Sequence, residues 1–147
     1  MKIKYLLILS AVAFFLNYLW EMLQMPFYVG MSFSDLQSWL MCARASLGDV
    51  VIVLFIFILG RLIFKSWDWV YHLNLRKIIY LIFIGFSIAI VIELISLKYH
   101  RWAYSEMMPV IPKIDVGIIP VIQMILLPYL TYVVTSRIFL LLVKEEK

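Results

Sequence analysis

The sequence predicts an all-α membrane protein, a four-transmembrane-helix bundle with a short interfacial helix in the first outer loop. Three observations carry this. Of 147 residues, 65% are hydrophobic and 15% are charged. A folded soluble domain of this size needs a more polar exterior than that composition supplies. Four apolar stretches are separated by short segments rich in basic, aromatic and turn-forming residues. No period-two alternation runs through them, and hydrocarbon offers the backbone no water, so helices are the expected way across. The chain reads as a single integral membrane domain, 1–147.

The first helix is expected over about 5–25, ending before Pro26. The second, about 49–64, is short for a ~30 Å core that needs roughly 20 residues, and it borrows Leu47 and Gly48. The third covers about 78–97. The fourth covers about 116–143 and must tilt, bend or protrude. Within it, Pro128 frees the carbonyl of Met124 and predicts a kink. Gly60, Gly85 and Gly117 mark expected close contacts between helices. The N-terminus imitates a signal peptide, with Lys2 and Lys4, an apolar run and Ala11-Val12-Ala13. The apolar run before that site is short and hydrophobicity continues to Met25, which predicts a retained anchor.

Charge sets the expected orientation. The net charge is +4, but the basic residues are scattered at helix ends. That suits orientation and anionic headgroups rather than nucleic acid. Lys2, Lys4, Arg61, Lys65, Arg76, Lys77, Arg137, Lys144 and Lys147 fall on one side, against Arg44, Lys98, Arg101 and Lys113 on the other. The excess predicts a multi-pass protein of a bacterial cytoplasmic (inner) membrane with both termini in the cytoplasm. Cys42 is the only cysteine, so no intrachain disulfide forms.

In the first outer loop, Ser34 is a candidate cap for a short helix. Leu36, Trp39 and Leu40 share one face of that helix, which suits the outer interface. The second loop carries Trp67, Trp69, Tyr71 and His72 among basic residues, as in an interfacial belt. The tail, Lys144 to Lys147, is expected to be solvated.

Depth organises the polar residues. At 1.5 Å per residue, Lys4 to Glu21 is about 25 Å, Lys65 to Asp49 about 24 Å, Lys77 to Glu93 about 24 Å, and Arg137 to Gln123 about 21 Å. Each helix therefore puts one polar side chain in a common layer near the outer surface. An unpaired charge in the bilayer centre costs roughly 2.5–3.5 kcal/mol, so such groups turn inward towards partners. Asn17, Glu21 and Gln24 are spaced to share a helix face. Glu93, Ser96 and His100 do the same if the third helix runs that far. Arg44, Lys98 and Arg101 are candidates to neutralise the carboxylates. The bland alternative is a polar seam that fixes the register of the bundle. For Asp49, which follows Gly48, the expected role is an N-cap. Trp20, Trp39, Trp102 and Tyr104 fit an outer aromatic belt. Arg101, Trp102 and Tyr104 together also suit a phosphate or carboxylate headgroup above an apolar tail.

Familiar catalytic patterns are absent from the sequence. His72 and His100 are expected on opposite sides, which argues against a histidine metal site. There is no Gly-rich phosphate loop, and Cys42 has no local partner to activate it. No metal and no cofactor are expected. The remaining chemistry is acid–base, with Glu93 and Glu21 as candidate catalytic residues. Asn17, Gln24, Asp49, His100, Arg101, Trp102, Tyr104 and Gln123 are candidate ligand-binding residues.

Asn17-x-x-Trp20-Glu21-x-x-Gln24-x-Pro26-x-Tyr28, Gly48-Asp49, and Glu93 through Arg101-Trp102-x-Tyr104-x-x-x-Met108-Pro109 to Gly117-x-x-Pro120-x-x-Gln123 resemble a family of small bacterial four-helix membrane proteins. The likeness covers most of the chain and implies a topology, not an activity. A fainter resemblance is to the small membrane lycopene cyclases of carotenoid synthesis. Those carry a Trp-x-Tyr-like loop and a Gly…Pro segment that continues into paired glutamates serving acid catalysis. Here Pro120 is followed by Val121, Ile122 and Gln123, so Glu21 or Glu93 would have to take the acid's part.

Three function classes stand. The first is a membrane protein with an outer-leaflet polar pocket that binds a lipid or isoprenoid. The second is an acid–base enzyme acting on such a molecule. The third is a transporter or a subunit of a membrane complex. Four helices leave little room for a gated path, which a homo-oligomer would restore. The expected partners are membrane lipids, not nucleic acid.

Overall fold

The structure is a computed structural model that describes residues 2–145, with only the backbone described at 2 and 145. The side chain of Lys2, Lys147 and the end of the expected solvated tail lie outside the described residues. Helices α1 (Lys2–Gln24), α2 (Leu36–Phe64), α3 (Leu75–Lys98) and α4 (Ile118–Glu145) form most of the fold. All four are long and apolar enough to cross a membrane. This is a multi-pass, all-α membrane protein.

α1 packs against α2 and α4, α3 packs against α4, and α2 and α3 barely meet. Sequence spacing explains the packing of α1. Tyr5, Leu9, Ala13 and Asn17 step by four residues along its inward face, while Ile3, Leu7, Phe15, Leu19 and Leu23 step along the exposed one. α3 turns Leu81, Gly85, Ala89, Glu93 and Ser96 inward. Small residues in that stripe let α4 come close. A Cβ at Gly85 would lie 2.2 Å from the Met124 carbonyl oxygen. That carbonyl is the one Pro128 cannot bond, and α4 stays continuous through the proline.

Several sequence expectations change. The second helix starts at Leu36, not near Asp49. Residues 36–48 are helical, but they are the first turns of α2 and not a separate short helix. The cap is Asp35 rather than Ser34, because the Asp35 carboxylate accepts from the amides of Gln37 and Ser38 at 3.1 Å each. Asp49 therefore sits inside α2 and caps nothing. α3 ends at Lys98, and His100 turns the chain away with a φ of +52°. Trp69 is not a belt residue. It is 1% exposed, lies over Gly60, and donates to the Phe57 carbonyl at 3.1 Å. Burial of an indole is tolerated when its N–H finds such a partner.

The loops at the Gln24 end are tied together. After α1 a 3-10 turn covers Met25–Phe27, with Pro26 blocking further α-helix. Tyr28 then pairs with Tyr104 in an antiparallel bridge. The Val29 amide donates to the Ala103 carbonyl and the Ser105 amide to the Phe27 carbonyl, each at 2.9 Å. Strands β1 (Val110–Ile111) and β2 (Val116–Gly117) form a small hairpin that leads into α4.

Two predictions follow from this packing. Gly85→Ala forces α3 and α4 apart and lowers stability by about 1–3 kcal/mol in detergent unfolding. Gly48→Ala meets nothing within 4 Å and has no such cost. The Asp35 carboxyl is held below the usual carboxylate range by the Gln37 amide and the Ser38 side chain. Its capping is therefore complete above its ordinary pKa of about 4 and is lost as pH falls through the lower folded value. Asp35→Ala should abolish hydrogen-exchange protection at the start of α2 and leave α3 unchanged.

Candidate functional site

Gln123 is the centre of the site. It is 2% exposed on α4 and reaches both α1 and α2. Its Nε2 lies 3.1 Å from Asn17 Oδ1, 3.1 Å from Glu21 Oε1 and 3.1 Å from Asp49 Oδ2. Its Oε1 accepts from Gln24 Nε2 at 3.2 Å, and the same Gln24 nitrogen donates to Glu21 Oε1 at 2.8 Å. Asn17 donates in turn to the Ala13 carbonyl at 2.8 Å. The expected layer is thus real for three helices. An amide nitrogen has two hydrogens, so its three acceptors cannot all be satisfied by Gln123 at one moment.

Glu93 stands apart, held from above by the third loop. Trp102 Nε1 donates to Glu93 Oε2 at 3.1 Å, and the Tyr104 hydroxyl donates to the same oxygen. Tyr104 also accepts from the Gly117 amide at 3.0 Å. A side chain at Gly117 would put Cβ about 3.1 Å from that hydroxyl, a tight contact that glycine relieves. Among the described residues, no hydrogen bond reaches the second oxygen of Glu93. Burial, then the bond to Glu93, pushes the Tyr104 hydroxyl well above the ordinary tyrosine range.

Local geometry explains which loop residues reach Glu93. Side chains alternate along an extended chain. Trp102 and Tyr104 therefore face inward, while Arg101 and Ala103 face out and are exposed. His100 is exposed as well. Among the described residues, neither His100 nor Arg101 bonds a member of the cluster through its side chain. The expected neutralising cations do not arrive either. Arg44, Lys98 and Arg101 are exposed, and none pairs with Glu21, Asp49 or Glu93 among the described residues. No group of three or more His, Cys, Asp or Glu placed to hold a metal ion occurs among the described residues.

Tyr28 was not singled out for the site from sequence, yet it joins the two halves. Its ring meets Tyr104 at 5.8 Å and Trp102 at 6.4 Å, both edge-on. Burial first, then the charges of Glu93 and Glu21, hold its hydroxyl far above the ordinary range. The available signal was its position just past the Pro26 stop, at the same end as Trp102 and Tyr104. Cys42 is buried with Ser38 and Ser46 on the inward face of α2. Two cavities lie away from the cluster, one near Phe57 and Tyr71 and one on the outward face of α3.

No protein-family model, curated protein or solved structure matches this chain.

The hydrogen-bond pattern predicts the effect of removing its centre. Gln123→Leu leaves buried Asn17, Gln24 and Asp49 and half-buried Glu21 short of donors or acceptors. A loss of about 2–4 kcal/mol is expected in thermal or denaturant unfolding. Gln37→Leu, on the exposed start of α2, should stay near the wild-type value.

Proposed function

We propose that this is a small inner-membrane protein that binds a lipid or isoprenoid at its outer-leaflet end and exchanges protons with it through Glu93 and Glu21. The observation that carries this reading is the setting of Glu93. One oxygen is fixed by an indole N–H and a phenol O–H, and the other has no hydrogen bond among the described residues. Three aromatic rings, Tyr28, Trp102 and Tyr104, gather beside it. A carboxyl positioned by two ring-borne donors has what is needed to protonate a double bond.

The chemistry balances without a cofactor. Glu93 gives a proton to one alkene carbon, and positive charge forms on the neighbouring carbon. Loss of a proton from an adjacent carbon to Glu21 forms the product, and return of a proton from Glu21 to Glu93 restores the pair for the next turnover. The substrate keeps its composition, so the reaction class is isomerisation or cyclisation. Exposed Leu36, Trp39, Leu40 and Met41 suit the boundary between bilayer and water for the first turns of α2. The basic side set out above puts both termini in the cytoplasm.

The test is untargeted lipid profiling of cells lacking the protein, cells with it restored, and cells restored with Glu93→Gln. One lipid or isoprenoid should accumulate in the first and third and return to normal in the second. Unchanged profiles would sink the enzymatic reading. A Glu93→Gln protein that is only less stable would make Glu93 part of a structural seam.

A further inference from the structure

At the opposite end of the bundle from Glu93, a cavity of about 220 Å³ opens between α1, α2, α4 and the second loop. Its walls include the rings of Tyr5, Phe57, Trp67, Tyr71 and Phe139, and Asp68 lies at its edge. The rings brace one another. Tyr5 meets Phe57 at 5.7 Å, Tyr71 at 5.6 Å and Phe139 at 5.4 Å, and Phe57 meets Trp67 at 6.2 Å. At roughly 30 Å³ per water-sized group, the space takes about seven such groups.

The charges around this cavity are of both signs and are ordered. The Arg61 guanidinium lies 3.8 Å above the Trp67 ring centre. Stacking uses its face and leaves its edge N–H groups able to meet a phosphate. Asp68 is exposed, and its carboxylate has no ion pair among the described residues. Its charge reaches inward, since after burial it is what raises the Tyr71 hydroxyl. Aromatic faces and a carboxylate together attract an organic ammonium group. A guanidinium one ring away attracts a phosphodiester. A purely anionic headgroup would satisfy Arg61 and be repelled by Asp68.

We infer that this cavity is a second lipid site, which takes the headgroup of a zwitterionic phospholipid. The ammonium enters among the rings against Asp68, and the phosphodiester stays at the mouth near Arg61. The site is separate from the Glu93 cluster and does not depend on any reaction there.

Native mass spectrometry of the full chain released from nanodiscs tests this. The nanodiscs carry phosphatidylglycerol mixed equally with phosphatidylethanolamine or with phosphatidylcholine. Wild type should retain at least one of the zwitterionic lipids about fivefold more than phosphatidylglycerol. Asp68→Asn, an exposed change, should erase that preference. Leu6→Trp, which fills the cavity from its wall, should lower retention of the zwitterionic lipid while phosphatidylglycerol is unaffected. Equal retention of all lipids by wild type, a preference for phosphatidylglycerol, or an undiminished preference in Asp68→Asn overturns the assignment.

Discussion

A single side-chain amide organises the polar half of this bundle. Buried polar groups between apolar helices have no water to fall back on, so each must find a protein partner or bear a penalty of a few kcal/mol. Gln123 meets that demand for residues on two other helices. Its nitrogen faces Asn17, Glu21 and Asp49, and its oxygen faces Gln24. Sliding α4 by one residue would rotate Gln123 by about 100° and strand all four. The amide therefore sets the register of α4 against α1 and α2, as nonspecific apolar contact cannot.

Carboxyls are not needed for that structural task, and here they sit beside the amides. Asn17 and Gln24 alone would serve a seam. Glu21 and Asp49 meet at Gln123 and Glu93 stands apart, and among the described residues none of them pairs with Arg44, Lys98 or Arg101. The roof adds a second constraint. The Tyr28–Tyr104 bridge ties the two loops at this end and aims Trp102 and Tyr104 at one oxygen of Glu93. Two donors on a tied loop fix the orientation of that carboxyl.

The two ends of the bundle use different means of cohesion. At the Gln24 end, amides and carboxyls link the helices. At the other end, Tyr5, Phe57, Trp69, Tyr132 and Phe139 form an aromatic core. There the Tyr132 hydroxyl donates to the Val53 carbonyl and the Trp69 indole N–H to the Phe57 carbonyl, while the Tyr5 hydroxyl pairs with that of Ser136.

Apolar run length and proline placement were enough to foresee four helices, and helical rise was enough to put Glu21, Asp49 and Gln123 at one depth. Those properties are local, fixed by 1.5 Å per residue and a backbone that must bond to itself. What lay beyond reach was direction around each helix axis and the path of the loops. Asp49 looked like a cap because Gly48 precedes it, but α2 reaches back to Asp35, whose carboxylate can bond two free amides. His100 and Arg101 looked like ligand residues because they adjoin Trp102. A left-handed turn at His100 and the alternation of the extended chain after it put them outside. Tyr28 and the Gly117 amide joined the site through contacts between segments far apart in the chain. Such contacts depend on how helices pack and loops pair, which no local pattern encodes.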